Sequence, residues 1–227
     1  MIEYLVPQAS TFADDIDNLF LTVCVIVGVW YLLTKGMFLW LVWRFRAKEG
    51  VAAEYITGKE PHLKRWITWP HALIILCDVV LIVGAVRVWY MVKQDMPEAA
   101  DTVRITGQQW AWTFQHSGPD GVLDTEDDIT LIDELHVKAN TLYHFELQSM
   151  DVLHNFAVPA FRLRQDTIPG RVIRGWFEPT LPGEYDIECA EICGIGHGIM
   201  GARVFVHSPE QHTAWLNDHS GSQLAGL

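Results

Sequence analysis

The 227 residues carry a net charge of −12 and are 50% hydrophobic. The charge lies in one half: residues 1–97 hold nine basic and nine acidic side chains, whereas 98–227 hold seven and nineteen. That balance excludes a nucleic-acid surface, which rewards basic side chains, and points the acidic half towards a basic protein partner.

The first twenty residues do not read as a standard signal peptide, since Asp14, Asp15 and Asp17 are present and a basic n-region is not. Residues 19–42 are then apolar apart from Thr22, Lys35 and small residues, long enough to cross a hydrocarbon core of about 30 Å. The flank Arg44-Phe-Arg-Ala-Lys48 has the basic character of an inner membrane face, and Lys35 could snorkel from near one end. A polar linker, residues 49–65, leads to a second span over about 66–92, with Trp66, Trp69, Trp89 and Tyr90 as interfacial anchors. The basic residues between the spans set both termini outside. Asp78 falls near the middle of the second span, where an exposed carboxylate is costly; it reads as a hydrogen-bonded group at an interface with another helix or as part of a proton path.

From Asp101 the pattern changes to short alternating runs at 102–106, 110–114, 129–135, 142–147, 152–158, 172–177, 185–189 and 203–207. Pro159, Pro169, Pro179 and Pro182 punctuate them, which predicts an all-β sandwich or small barrel. The domains expected are therefore 1–97, a transmembrane hairpin; 98–208, a β domain; and 209–227, a tail in which a short helix can form. The acidic insert 118–128 has three open readings: a cation site whose spacing misses the EF-hand, part of an acidic docking face, or a solvated hairpin turn.

The stretch Cys189-Ala-Glu-Ile-Cys-Gly-Ile-Gly-His-Gly-Ile-Met200 concentrates the chemistry. Cys189 and Cys193 are four apart, as are Cys193 and His197, and glycines let the loop turn. Sulfur joined to imidazole and thioether selects copper or zinc over hard cations. Structural zinc has little use for a thioether, and a mononuclear blue-copper site needs one cysteine. With His154 added, two thiolates bridging two copper ions would use the whole set; another metal or a disulfide are the alternatives. Cys24 and Cys77 read as buried small hydrophobes, His136, His144 and His207 as structural, and His116 as a surface residue. No Cys-x-x-Cys-His haem attachment occurs, so no haem is expected on this chain.

Several separated motifs resemble, in order, the subunit II family of haem-copper oxygen reductases of the cytochrome c oxidase type. They are Gly-Gln-Gln-Trp-Ala-Trp (107–112), Asp-Val-Leu-His-Asn-Phe-Ala-Val-Pro (151–159), Asp-Thr-Ile-Pro-Gly-Arg (166–171), Pro-Gly-Glu-Tyr (182–185) and the cysteine segment. With the two spans, the resemblance covers nearly the whole chain. It implies a transmembrane helical hairpin followed by a cupredoxin-like Greek-key domain on the outer side of a bacterial plasma membrane or mitochondrial inner membrane, with the bacterial case preferred. It further implies a binuclear copper centre, CuA, in which Cys189 and Cys193 bridge, His154 and Met200 complete one copper, and His197 with the Glu191 carbonyl completes the other. The Glu191 carboxylate would bind Mg2+ or Mn2+ shared with the catalytic subunit I. Trp110 would be the electron-entry residue for cytochrome c, placed by strand alternation on the same face as Trp112. Arg162 and Arg164 would pair with haem propionates or acids across the subunit junction.

The chain departs from the family at Leu63, where many members carry a proton-entry glutamate, and at Ala111, where an aromatic-rich version has tyrosine. A quinol-oxidase subunit would have lost the copper ligands, and a nitrous oxide reductase would need a large further domain. The remaining alternative is a membrane-anchored copper carrier or assembly protein.

Overall fold

Helices α1 (Ala13–Arg44) and α2 (Pro61–Trp89) take up the two apolar runs in the computed structural model, which describes residues 5–52 and 55–224, with side chains as far as 219. At 1.5 Å per residue the 32 residues of α1 extend about 48 Å, longer than the hydrocarbon core. Asp14 and Asp15 sit in its first turn and Arg44 in its last, each matching the sign of the helix end. Helix α2 starts five residues ahead of Trp66, within the expected linker. Pro61 occupies its first turn, where a missing N–H costs nothing. Its last residues run on as a π-turn, Tyr90–Gln94.

Within this hairpin the Trp30 indole donates to Cys77 Sγ at 3.4 Å, and Leu19 closes on Gly84. The apolar side chains otherwise face outward, as lipid-facing helices require. Asp78 is exposed on α2, and none of the described residues pairs with it.

The chain from Val92 onward forms a second unit together with the N-terminal segment to Ile16. Its strands are β1 (Asp101–Gln108), β2 (Ala111–His116), β3 (Ile129–Ile132), β4 (Glu134–Lys138), β5 (Tyr143–Ser149), β6 (His154–Val158), β7 (Leu163–Thr167), β8 (Ile173–Phe177), β9 (Gly183–Cys189) and β10 (Gly201–His207). They make two five-stranded sheets, ordered β3-β2-β1-β5-β8 and β4-β10-β9-β6-β7. Strands β1 and β5 run parallel, as do β4 and β10, and the other pairs are antiparallel. Alternation decides what lies between the sheets: Val103, Ile105, Trp112, Phe114, Phe145, Leu147, Phe156, Ile187 and Val204 are all buried.

The predicted run 129–135 is two strands. Asp133, in the left-handed region at φ 59, breaks it and sends β3 and β4 to different sheets. Strand β7 has no counterpart among the predicted runs.

The N-terminal segment is stitched onto this unit. Ala9 N–H donates to the Ala160 carbonyl (2.8 Å), Thr180 N–H to the Ala9 carbonyl (2.9 Å), and Phe12 packs edge-on against Trp176. Arg162 donates to the carbonyls of Val6, Pro7 and Pro159. The side chain expected at a subunit junction therefore holds the chain's own first residues. Helix α3 (Pro209–Leu224) covers most of the predicted tail, whose last three residues lie outside the described residues.

Candidate metal centre

His154 opens β6, Cys189 closes β9, and Cys193, His197 and Met200 lie on the loop leading into β10. Pairing of Phe156 with Cys189 sets the start of β6 beside the end of β9. The loop is fastened at both ends: Cys189 N–H donates to the Met200 carbonyl (3.1 Å) and Ala190 N–H to the Asn155 carbonyl (2.9 Å). Three short chain segments thus deliver all the donors to one end of the two sheets.

The two thiols are free, buried and 3.7 Å apart, well beyond a disulfide bond of about 2.05 Å. Cys189 Sγ lies 4.0 Å from His154 Nδ1 and 3.3 Å from the Glu191 carbonyl oxygen. Cys193 Sγ lies 3.6 Å from His197 Nδ1 and 3.7 Å from Met200 Sδ. Donors at bonds of about 2.0–2.3 Å around a tetrahedral metal stand roughly 3.3–3.8 Å apart. All but the 4.0 Å Cys189–His154 separation fall in that range, which is compatible with donors around a metal, and the soft sulfur and imidazole donors suit copper. His154, Cys189 and Cys193 together form a buried group able to hold a metal ion. Without a cation, burial pushes the Cys193 thiol up to about 11, and the adjacent Cys189 adds to the effect.

Asp151 is a site residue that ligand counting did not single out. Its carboxylate accepts from His154 Nε2 at 2.8 Å and from the amides of Gln109 (2.7 Å) and Val152 (2.6 Å). Burial raises the Asp151 pKa, but the bond from His154 and then those two amides outweigh it and hold the group below the usual carboxylate range. The contact leaves Nδ1 of the fully buried His154 facing Cys189. The sequence signal was present, three residues ahead of His154, in Asp-Val-Leu-His.

Trp110 is not on β2. Gln108 pairs with Ala111, so Gln109 and Trp110 form the turn between β1 and β2, and the alternation linking Trp110 to Trp112 does not apply. Trp112 is wholly buried, edge-on to His154 and Phe156; Trp110 is 37% exposed. The Trp110 ring lies on the backbone of the Cys189–Met200 loop, where a Cβ on Gly196 would come within 2.3 Å of it. Its indole N–H and the Gln109 side-chain amide both donate to the Cys193 carbonyl, at 3.4 and 2.8 Å. Gly107 is required by packing, because a Cβ there would stand 3.0 Å from Trp112 and 3.1 Å from His154. Glu191 is half-buried beside the loop, and Arg164 donates to the neighbouring Ala190 carbonyl at 3.1 Å.

The other candidates lie elsewhere. His116 is buried, contrary to its surface assignment, because it points inward from β2 to meet His136 and Trp215. The acidic insert is closed by its own contacts. Thr125 donates to Asp127, the Asp124 amide donates to Asp128, and Arg104 grips Asp124 at 2.6 Å and Glu146 at 3.1 Å.

Residues 101–206 match the family model "Cytochrome C oxidase subunit II, periplasmic domain". The alternative cytochrome c oxidase subunit 2 of Bradyrhizobium diazoefficiens is 32% identical over 208 residues, covering 82% of this chain and 73% of that protein. Cytochrome c oxidase subunit 2 of Cereibacter sphaeroides is 28% identical over 95% of this chain and 79% of its own. The crystal structure of the periplasmic domain of subunit II of cytochrome oxidase from Bradyrhizobium japonicum aligns with a TM-score of 0.50 at 26% identity, covering 56% of this chain and 99% of that one. The expected cupredoxin-like β domain behind two membrane-length helices is thereby borne out, as is an outward-facing domain on a membrane protein.

Proposed function

Because the chain belongs to the cytochrome c oxidase subunit II family, we propose that its outer domain holds a binuclear copper centre and is the electron-entry station of a membrane cytochrome c oxidase. One observation carries this reading. Two free, buried thiols stand 3.7 Å apart, and each has two further donors at 3.3–4.0 Å. Copper held there supplies reversible one-electron transfer.

The chain's own residues do the rest. Cys189, Cys193, His154, His197, Met200 and the Glu191 carbonyl would hold the copper, the two thiolates being shared, His154 and Met200 completing one side and His197 with the Glu191 carbonyl the other. Strand ends, the bond from His154 to Asp151 and those from Gln109 and Trp110 to the Cys193 carbonyl keep these donors from shifting between redox states, and burial of Cys189, Cys193, His154 and Met200 keeps water out. Trp110, partly exposed and bonded to the Cys193 carbonyl, is the surface group through which cytochrome c meets the site. The Glu191 carboxylate is offered to a hard cation, Mg2+ or Mn2+, at the junction with the catalytic haem-copper subunit. Oxygen chemistry occurs in that other subunit.

The test is copper quantification and electron paramagnetic resonance of the full chain in detergent, since residues 5–16 are part of the β unit. Two coppers per chain sharing one unpaired electron equally are expected. One localised copper, or a metal passed quantitatively to a chelating acceptor on each redox cycle, would overturn the reading in favour of a copper carrier.

A further inference from the structure

Helix α3 has no apolar stripe, yet it is seated on the β domain by a single large side chain, Trp215, which is only 8% exposed. His212 and His219, three residues before and four after, share its face of the helix. The surface that receives them is also made of histidines. Trp215 stacks on His136 of β4, with ring centroids 4.6 Å apart and planes 8° from parallel, and meets His116 of β2 edge-on at 5.1 Å. His219 packs against Trp215 at 4.9 Å, and His207 of β10 faces His212 at 6.2 Å. His136 Nδ1 and His207 Nε2 share a hydrogen bond of 2.8 Å. Five of the ten histidines thus surround one indole, at the end of β2 away from the copper ligands.

This packing suits neutral imidazoles. His116, His136 and His212 are all more than nine-tenths buried, and Nε2 of His116 and of His136 has no hydrogen-bond partner. A shared His–His bond needs one unprotonated nitrogen, which two imidazolium rings cannot supply. The charged groups on the packed elements do little to offset protonation. Glu134 on β4 has an oxygen 3.5 Å from His136 Nε2 but is half-exposed, and Lys138 on β4 repels charge on His212. Arg203 on β10 is paired with Glu184 and Asp186. Glu210 on α3 accepts from Ser208, Asp218 is exposed, and β2 carries no charged residue.

We propose that the histidine cage around Trp215 is a proton-operated latch, which keeps α3 seated on β4 and β10 while the imidazoles are neutral and releases it as they take up protons. Burial, then the neighbouring histidines, push His116 down to about 3 and His136 to about 4. Burial and its neighbours likewise push His212 down to about 4, and burial lowers His207. A released imidazole titrates near 6.5. Between those values the released state holds more protons than the seated one, so the histidines' contribution to seating is present in full above about pH 6.5 and is lost as pH falls towards 4. Each histidine that changes charge on release shifts the equilibrium up to about tenfold per pH unit, and three acting together up to about a thousandfold.

Hydrogen–deuterium exchange of the full chain in its assembled oxidase, from pH 8 to pH 5 and corrected for the intrinsic rate, tests this. Amides of α3 should lose protection below pH 6.5 with a slope steeper than one proton, while β1 and β5 stay protected. His212→Gln, on the helix and outside the β core, should lower the midpoint and flatten the slope; His136→Gln should do the same if it folds. Protection of α3 unchanged to pH 5, loss in step with β1 and β5, or a His212→Gln profile identical to wild type would each overturn the latch.

Discussion

Replacing Asp151 by alanine probes how the protein holds its metal without touching a ligand. The carboxylate accepts from His154 Nε2, from Val152 N–H and from Gln109 N–H, at 2.6–2.8 Å. Asp151 Oδ1 accepts from both Val152 N–H and the wholly buried His154 Nε2, and the Asp151 side chain is 30% exposed, so water can enter in its place but satisfies the buried imidazole less well than the fixed carboxylate. Losing that bond at a buried donor costs about 1–3 kcal/mol and each amide bond about 1 kcal/mol or less, so the loss of stability should be about 2–4 kcal/mol. Copper affinity should fall about 10–100-fold, because the imidazole loses the group that fixes its ring and tautomer. The asparagine variant separates the two effects: its oxygen can still accept from His154, but its NH2 then faces the Gln109 amide. An intermediate loss is expected. The assays are chelator competition for copper and thermal unfolding of the metal-free chain. The pKa of Asp151 is lowered, so its contribution is complete above the ordinary carboxylate value and lost only as pH falls through the depressed one. The gap between wild type and alanine variant should therefore stay constant from pH 8 to about 5. An alanine variant with wild-type copper affinity and melting temperature would refute the reasoning.

Gly196→Ala places a methyl 2.3 Å from the Trp110 ring and must push it off the loop; reduction by cytochrome c should slow on the order of tenfold while the copper spectrum is kept. Gly175→Ala drives a Cβ to 2.3 Å from Phe145 in the core, and thermal melts should show a loss of about 1–3 kcal/mol. Arg104→Met removes the grip on Asp124 and Glu146; proteolysis within 118–128 should rise, with a stability loss of about 1 kcal/mol. With copper stripped, a Cys193 thiol near 11 against an ordinary 9.0 should be alkylated about a hundredfold more slowly than an exposed cysteine at pH 7.5, and faster as pH rises.

The hairpin and the cluster of candidate metal donors were legible because each rests on a local rule. Twenty-odd apolar residues have few fates besides a membrane span, and two cysteines, a histidine and a methionine within twelve residues have few besides a soft metal. What stayed hidden depends on long-range pairing. Strand β7, Leu163-Arg-Gln-Asp-Thr167, places Arg164 and Asp166 outward and only Leu163 and Thr167 inward, too few apolar residues to announce a strand. It exists because β6, from His154 to Val158, offers an edge to pair with along its whole length. Trp110 shows the reverse error, in which alternation was read across a residue that the hairpin uses as its turn.

The histidines mark where residue-by-residue reading fails most plainly. Taken singly, His116, His136 and His207 are unremarkable strand residues, and His212 and His219 ornament a polar tail. Only the fold brings β2, β4 and β10 under α3, and only then do five titratable rings share one indole. The candidate metal site shows the opposite economy, with most of its donors in one loop and the fold adding His154 and, behind it, Asp151. A function carried by one loop survives in the sequence as a motif. A function distributed over four elements leaves no motif and has to be read from the packing.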